Sequence, residues 1–190
     1  MLDLVLAVAI LPFVALVVFA LAVAIKVDSP GPVLFSQSRT GLNGRRFRMW
    51  KLRTMVRGAE RLKGELMHLN NLQPPDFKII DDPRVTRLGR FLRRTHLDEL
   101  PQLANVIRGE MSFVGPRPTS FAATTYDLWH TKRLEVRPGI TGLWQITRRQ
   151  ASEFNDRLRL DIRYIDEMSL RLDAKIVVLT VVAVARRSGA

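Results

Sequence analysis

Every side chain from Leu4 to Ile25 is apolar, a run longer than the ~18 residues that mark a candidate membrane helix. Nothing basic precedes it, whereas Lys26, Arg39, Arg45, Arg46, Arg48, Lys51 and Arg53 follow it, so the positive-inside rule sets the rest of the chain on the cytoplasmic face. A cleaved signal peptide fits less well, because such peptides begin with a basic stretch and carry an apolar core of only about 7–15 residues. Pro12 interrupts the run, and proline inside a helix removes one hydrogen bond and crowds the preceding turn. Two readings follow. If the helix breaks there, the arms Leu4–Leu11 and Phe13–Ile25 reach about 12 Å and about 20 Å, each short of a hydrocarbon core of about 30 Å. That gives a re-entrant helical hairpin with both ends on one face. If the helix only kinks, it spans, since membrane helices tolerate proline.

Beyond the run, Val27-Asp28-Ser29-Pro30-Gly31-Pro32 is a turn signal. Val33-Leu34-Phe35 and Phe47-Arg48-Met49-Trp50 are β-prone runs around Gly41-Leu42-Asn43-Gly44, the pattern of a hairpin. Val56–Leu69 reads as a helix, and Asn70–Asp82, with Pro74 and Pro75, as a polar loop. Two more helices are expected at Glu153–Met168 and Asp173–Arg187. The second is apolar from Ile176 to Ala185 except for Thr180, too short to span and suited to the body or the membrane interface. The expected class is α+β, mainly helical. Residues 1–26 form a membrane segment and 27–190 one small cytoplasmic body with a β-hairpin and interfacial helices.

Charge narrows the partners. Lysine and arginine total 30 against 18 acids, a net charge of +12, which favours anionic ligands. Between Arg39 and Lys63 the only acid is Glu60, and such a surface beside a membrane anchor suits anionic headgroups. With no cysteine there is no disulfide scaffold, thiolate metal site or cysteine nucleophile. His68, His96 and His130 lack metal-ligand spacing, and read as surface or half-buried residues.

The chemistry concentrates between Asp82 and Pro118. Arg84, Arg87, Arg90, Arg93 and Arg94 come with no acid among them before Asp98, and guanidinium forks match phosphate oxygens, so a diphosphate belongs here. Asp98 and Glu99 are adjacent, with Pro101 behind them, which puts the pair at or just before a helix amino terminus. There the pair could serve as a cap, or as charges working beside a bound phosphate. A two-carboxylate glycosidase does not fit, because its acids must face each other about 5 Å or more apart. Arg117 lies between Pro116 and Pro118, which limits the entropy lost on presenting its guanidinium. Arg137-Pro138-Gly139-Ile140-Thr141-Gly142 is a second turn, with glycine free for close approach or positive φ.

These motifs, in order, resemble the bacterial sugar transferase family, the small monotopic phosphoglycosyl transferases. The resemblance runs through Asp28-Ser29-Pro30-Gly31-Pro32 with Phe35 and Gln37, Lys51-Leu52-Arg53-Thr54-Met55, and Asp82-Pro83-Arg84-Val85-Thr86-Arg87-Leu88-Gly89. It continues through Leu97-Asp98-Glu99-Leu100-Pro101-Gln102-Leu103, Met111-Ser112-Phe113-Val114-Gly115-Pro116-Arg117-Pro118, Arg137 to Gly142, and Tyr164 with Leu172-Asp173. It implies a re-entrant amino-terminal helix broken at a proline, here Pro12, and an Asp-Glu dyad working with magnesium. Asp98 matches the family's nucleophile, which attacks the β-phosphate of a UDP-sugar, expels UMP and holds the phosphosugar until undecaprenyl phosphate accepts it. Glu99 matches the partner that positions metal or incoming phosphate; both acids are thus the expected Mg2+ ligands. Arg117 and Pro118 are expected to hold the nucleotide, with Arg94, Gln102, Arg87, Lys51 and Arg53 also assigned to substrate.

The implied setting is the cytoplasmic face of a bacterial inner membrane, initiating polysaccharide or glycoconjugate synthesis, with self-association into a homo-oligomer left open. Three positions depart from the family pattern. No basic residue precedes Asp3, so the amino terminus reads as shortened or as lacking the extra helices of longer forms. Leu11 replaces the usual serine before Pro12, and Arg148 stands where glycine is common, which bears on sugar or nucleotide preference. The rival class is a non-catalytic, membrane-tethered basic module for acidic lipid or nucleic acid. No nucleic-acid recognition motif supports it, and it leaves Asp98-Glu99 and Arg117 unexplained.

Overall fold

A computed structural model describes residues 2–70, 79–122, 124, 128–147 and 154–185. The expected sites at Pro74, Pro75, Arg148, Glu153 and Arg187 lie outside the described residues. The protein is mainly helical with two small sheets. Helix α1 spans Leu2–Asp28 as one α-helix that continues through Pro12, so the break expected there does not form; at 1.5 Å per residue it is about 40 Å long. It is long and apolar enough to cross a membrane.

One face of α1 packs on the body along its whole length. Asp3 Oδ1 accepts from the Phe113 amide at 3.4 Å. Ala7 and Val14 join a core with Phe47, Met49, Leu103, Val106 and Met111, and Val18, Leu21 and Ile25 join one with Leu52 and Leu92. The three- and four-residue spacings put these residues on one stripe. Phe13, Leu16 and Phe19 stay about seven-tenths exposed (72%, 67% and 69%).

The hairpin forms and is longer than expected: β1 (Leu34–Thr40) pairs antiparallel with β2 (Arg46–Leu52), Leu34 opposite Leu52 and Thr40 opposite Arg46. Asn43 and Gly44 take positive φ in the connection, which suits both residue types. The helix expected over Val56–Leu69 does not form. Its place is taken by turns and two short 3-10 pieces, Arg61–Lys63 and Met67–Leu69. Gly58 adopts φ +80, a left-handed conformation that ends α-helical propagation.

Helix α2 (Arg87–Thr95) starts at Thr86, whose Oγ1 accepts from the Gly89 amide at 2.9 Å. It ends at His96, left-handed at φ +56, which turns the chain into a 3-10 helix over Leu97–Gln102 and then α3 (Leu103–Ile107). The two carboxylates lie, as expected, at a helix amino terminus: they occupy the first turn of the 3-10 helix, which contains Pro101 and leads into α3.

Two motifs far apart in sequence meet in a parallel pair, β3 (Ser112–Val114) with β4 (Gly139–Thr141). The glycines there serve close approach: a Cβ on Gly115 would stand 2.5 Å from the Arg137 oxygen, and one on Gly139 2.1 Å from the Gly115 nitrogen. The one-turn α4 (Leu143–Ile146), α5 (Phe154–Asp166) and α6 (Leu170–Ala185) cover this pair around Val114, Tyr164 and Ile176. Thr180, the polar exception in the apolar stretch Ile176–Ala185 of α6, meets Thr141 Oγ1 at 2.7 Å. On its outer side α6 leaves Val177, Val178 and Val181 exposed.

Candidate functional site

Lys51 on β2 points at the two carboxylates of the 3-10 turn. Its Nζ donates to Glu99 Oε1 at 2.7 Å and stands 3.8 Å from Asp98 Oδ2. From the opposite side Arg117 Nη2 donates to the same Glu99 oxygen at 2.7 Å. Asn105 on α3, fully buried, keeps the turn against β2. Its Oδ1 accepts from the Trp50 amide at 3.2 Å, and its Nδ2 donates to the Arg48 carbonyl at 2.7 Å and to Glu110 Oε2 at 2.6 Å.

The adjacent acids thus have opposite environments. Burial alone would raise the Glu99 carboxyl, but Arg117 and Lys51, by charge and hydrogen bond, hold it far below the usual carboxylate range. Burial also raises Asp98, Glu99 adds to the rise, and Lys51, Arg93 and His96 pull back without cancelling it. Glu99 is a locked anion. Asp98 is less stabilised as an anion, and so the more basic and more reactive oxygen donor of the two.

Of the residues nominated from sequence, Asp98, Glu99, Lys51 and Arg117 come together. Gln102 lies on the same turn, 2% exposed, with its Nε2 lacking a hydrogen-bond partner among the described residues. Pro118 is buried beside Arg117, and its carbonyl accepts from Arg39 Nη1 at 3.4 Å. Arg87 and Arg94 are exposed on α2. Arg53 is turned away from the dyad and caps α1, donating to the carbonyls of Pro30 (2.5 Å), Ser29 (2.7 Å) and Ile25 (3.4 Å).

Arg84 also departs from the expected phosphate-binding cluster. It forms a buried two-point ion pair with Asp82, Nε to Oδ1 at 2.8 Å and Nη2 to Oδ2 at 2.6 Å. The partner is the acid two residues before it, which the count of acids after Arg84 left out.

Arg93, expected only as one of the phosphate-binding arginine cluster, is better placed than its neighbour Arg94, which was assigned to substrate individually. Arg93 is half-buried, its Nε donating to Thr54 Oγ1 at 3.0 Å. Burial lowers its guanidinium, against the pull of Asp98 and Asp82. The helix phase carried the signal: with Leu88 and Leu92 facing the core, position 93 falls toward the dyad and 94 toward solvent. Sequence reasoning missed Arg133 and Asp161. They form a buried ion pair at 2.6 Å next to Arg117, between segments whose contact no local pattern announces.

Among the described residues no third acid or histidine joins Asp98 and Glu99. Magnesium is commonly held by one or two carboxylates, with substrate phosphates and water completing its shell. The donor set fits such an ion: among the described residues Asp98 carries no hydrogen bond comparable to those on Glu99, and Lys51 comes no nearer to it than 3.8 Å.

The chain also matches known proteins. The model of the family described as bacterial sugar transferase covers residues 1–187. The galactosyl transferase CpsE of Streptococcus agalactiae serotype III (strain NEM316) is 46% identical over 162 residues, 84% of this chain and 36% of that protein. The UDP-glucose:undecaprenyl-phosphate glucose-1-phosphate transferase of Escherichia coli (strain K12) is 41% identical over 192 residues, 94% of this chain and 38% of that protein. The exopolysaccharide production protein ExoY of Sinorhizobium fredii (strain NBRC 101917 / NGR234) is 40% identical over 170 residues, 87% of this chain and 75% of that protein. The chain therefore spans little more than a third of the first two and three quarters of the third.

Proposed function

The chain belongs to the bacterial sugar transferase family, and from that premise we propose that it moves a sugar 1-phosphate from a UDP-sugar to undecaprenyl phosphate at Asp98. The observation that carries this reading is the asymmetry of the dyad: Glu99 is held by Lys51 and Arg117 at 2.7 Å each, and Asp98 is left outside those bonds. The E. coli relative is named for this transfer of glucose 1-phosphate.

In the first step an Asp98 oxygen bonds to the donor's β-phosphorus. The bond from that phosphorus to the bridging oxygen breaks, and UMP leaves with the electron pair. In the second step an oxygen of undecaprenyl phosphate attacks the same phosphorus and Asp98 leaves as a carboxylate, giving the lipid diphosphosugar. Dividing the transfer this way lets one site present donor and acceptor in turn. Lys51, Arg117 and Arg93 surround the reacting phosphoryl group with fixed positive charge, which stabilises the charge it carries. Asp98 and Glu99 would hold Mg2+, which when bound neutralises charge on the diphosphate oxygens.

α1 supports a monotopic setting. Asp3 and Ala7 near one end and Ile25 near the other all pack on a single body, so both ends belong on the body's side of the membrane. α1 then lies in the near leaflet as one continuous helix through Pro12, and its exposed Phe13, Leu16 and Phe19 meet lipid. The basic residues after α1 favour the cytoplasmic face of the inner membrane, where Arg87, Arg90 and Arg94 on α2 suit anionic headgroups.

The test is UMP release from a panel of UDP-sugars by nanodisc-held protein, with undecaprenyl phosphate and magnesium. We expect release with at least one sugar, its loss in Asp98→Asn, and, without the acceptor lipid, a phosphosugar adduct on the peptide carrying Asp98. UMP release without the adduct would leave the lipid phosphate attacking directly. Silence with every sugar would move the chain to the non-catalytic class.

A further inference from the structure

The loop that presents Arg117 is held by its carbonyls. Pro116 oxygen accepts from the Gly139 amide at 3.0 Å and Thr119 oxygen from the Thr40 amide at 3.0 Å. Pro118 oxygen accepts from Arg39 Nη1 at 3.4 Å, and Arg117 oxygen from Arg133 Nη2 at 2.6 Å. Four successive carbonyls are thus each fixed by a residue elsewhere in the chain. Neither Pro116 nor Pro118 has an N–H to donate, which leaves the segment poor in donors for a turn of its own.

One of the four attachments differs in kind. Arg133 Nη2 also donates to Asp161 Oδ2 at 2.6 Å, so one nitrogen uses its two hydrogens on two acceptors: a carboxylate on α5 and the backbone of Arg117. Arg133 and Asp161 are 6% and 1% exposed, and Asp161 Oδ1 has no hydrogen-bond partner among the described residues. Burying two charges costs several kcal/mol before their attraction returns it, and apolar side chains of similar size often serve stability as well. Nor is the pair needed as the link between its two elements. The neighbouring Lys132 and Asp166 already join the same 3-10 helix, Leu128–Leu134, to α5 at the exposed rim.

We propose that the buried Asp161–Arg133 pair is a positioning device for the transfer: it fixes the Arg117 peptide from outside the dyad pocket, so that the Arg117 guanidinium meets Glu99. The inference rests on the reading under Proposed function and deepens it. Proline after Arg117 already confines that residue to extended conformations, and Arg133 fixes the orientation of its carbonyl within them. If the carbonyl is released, the loop turns and the 2.7 Å contact between Arg117 and Glu99 passes beyond hydrogen-bonding range. A misplacement of about 1 Å at such a site costs up to about 100-fold in rate.

The experiment is a double-mutant cycle on the full chain in nanodiscs, read by UMP release. Arg133→Met and Asp161→Asn should each lower kcat by about 10- to 100-fold. In an Arg117→Ala background the same changes should cost less than about 2-fold more, because the group they position is gone. Arg133→Lys, which keeps a cation for Asp161, should recover most of the loss. Lys132→Ala, which breaks the rim pair between the same elements, should leave the rate unchanged. Losses that multiply in the Arg117→Ala background, or that Lys132→Ala reproduces, would overturn the proposal in favour of general scaffolding.

A second readout does not depend on turnover. Hydrogen exchange in Arg133→Met and Asp161→Asn should quicken in residues 112–122 and 97–103 and stay at the wild-type level elsewhere. Unchanged exchange in 112–122, or acceleration throughout the chain, sinks the positioning claim. If the wild type releases no UMP, the functional reading fails, while exchange still decides whether the pair holds the loop.

Discussion

Gly89 offers the sharpest test of how the dyad is placed. It lies in the first turn of α2, where the helix crosses the chain just after β2. A Cβ there would stand 2.0 Å from the Thr54 oxygen, 2.8 Å from its carbonyl carbon and 2.9 Å from its Cα. All three are backbone atoms, so no side chain can swing aside. Restoring ordinary contact at about 3.5 Å moves α2 away by about 1.5 Å. That shift stretches the Thr86 amide to Thr54 oxygen bond (3.1 Å) and the Arg93 Nε to Thr54 Oγ1 bond (3.0 Å), each worth about 1 kcal/mol. Overpacking adds about 1–3 kcal/mol, and alanine returns about 1 kcal/mol of helix propensity. The net loss for Gly89→Ala is therefore about 2–4 kcal/mol. For a chain of this size that corresponds to a fall of roughly 5–15 °C in Tm, measured by tryptophan fluorescence in nanodiscs. Because α2 leads through His96 straight into the dyad turn, UMP release should fall at least about 10-fold at temperatures where the variant is folded. Gly89→Ala matching or exceeding wild-type stability, as helix propensity alone would have it, would refute the close crossing and the coupling built on it.

Three further outcomes are expected. Arg53→Met, which removes three hydrogen bonds to the carboxyl end of α1, should lower stability by about 2–4 kcal/mol without raising KM for the UDP-sugar; a raised KM at unchanged stability would return Arg53 to the substrate. The chain has no cysteine, so Leu2→Cys and Val27→Cys report topology cleanly. In spheroplasts both should resist a membrane-impermeant maleimide, and in inverted vesicles both should react; labelling of Leu2→Cys alone from outside would make α1 a spanning helix. Burial pushes the Asp161 carboxyl up to about 7, against Arg133, Arg157 and Arg117, which face it. The folded chain therefore takes up a proton near pH 7 that the unfolded chain takes up only near its ordinary value of 3.8. Stability from this group rises as pH falls through that window and is flat above it. The Tm of wild type minus that of Asp161→Asn should accordingly be larger at about pH 5.5 than at about pH 8, and a difference independent of pH would contradict the shift.

What the sequence made legible was whatever rests on a long local pattern. The apolar run of α1, the hairpin around Gly41–Gly44, and α5 and α6 all carry periods or turn residues that a single segment displays. Failures came where a segment is short or its partner distant. Val56–Leu69 has helical composition, but Gly58 at φ +80 interrupts it. The strands Ser112–Val114 and Gly139–Thr141 are too short to show alternation, so nothing local announces that the Gly115-Pro116 and Pro138-Gly139 turns are packed backbone to backbone.

The arginines carry the same lesson into the site. Their abundance indicated an anionic substrate, yet abundance does not separate a cation spent on the protein from one left for a ligand. Arg84 is neutralised by Asp82 and Arg133 by Asp161, and Arg53 is engaged by the carbonyls that end α1. None of these partners can be deduced from the density of positive charge, because each is fixed by tertiary contact or by an acid on the unexpected side. Lys51 and Arg117 both bond to Glu99, and Asp98 receives only the longer 3.8 Å approach of Lys51, so two adjacent, chemically similar acids stand in different surroundings. An anion bonded at 2.7 Å by two cations is a poor nucleophile and a fixed reference point. Its neighbour, raised by burial and without equivalent bonds, is the one that the proposed function has bonding to phosphorus. The motif supplies the pair of carboxylates, and the fold gives the two unequal surroundings.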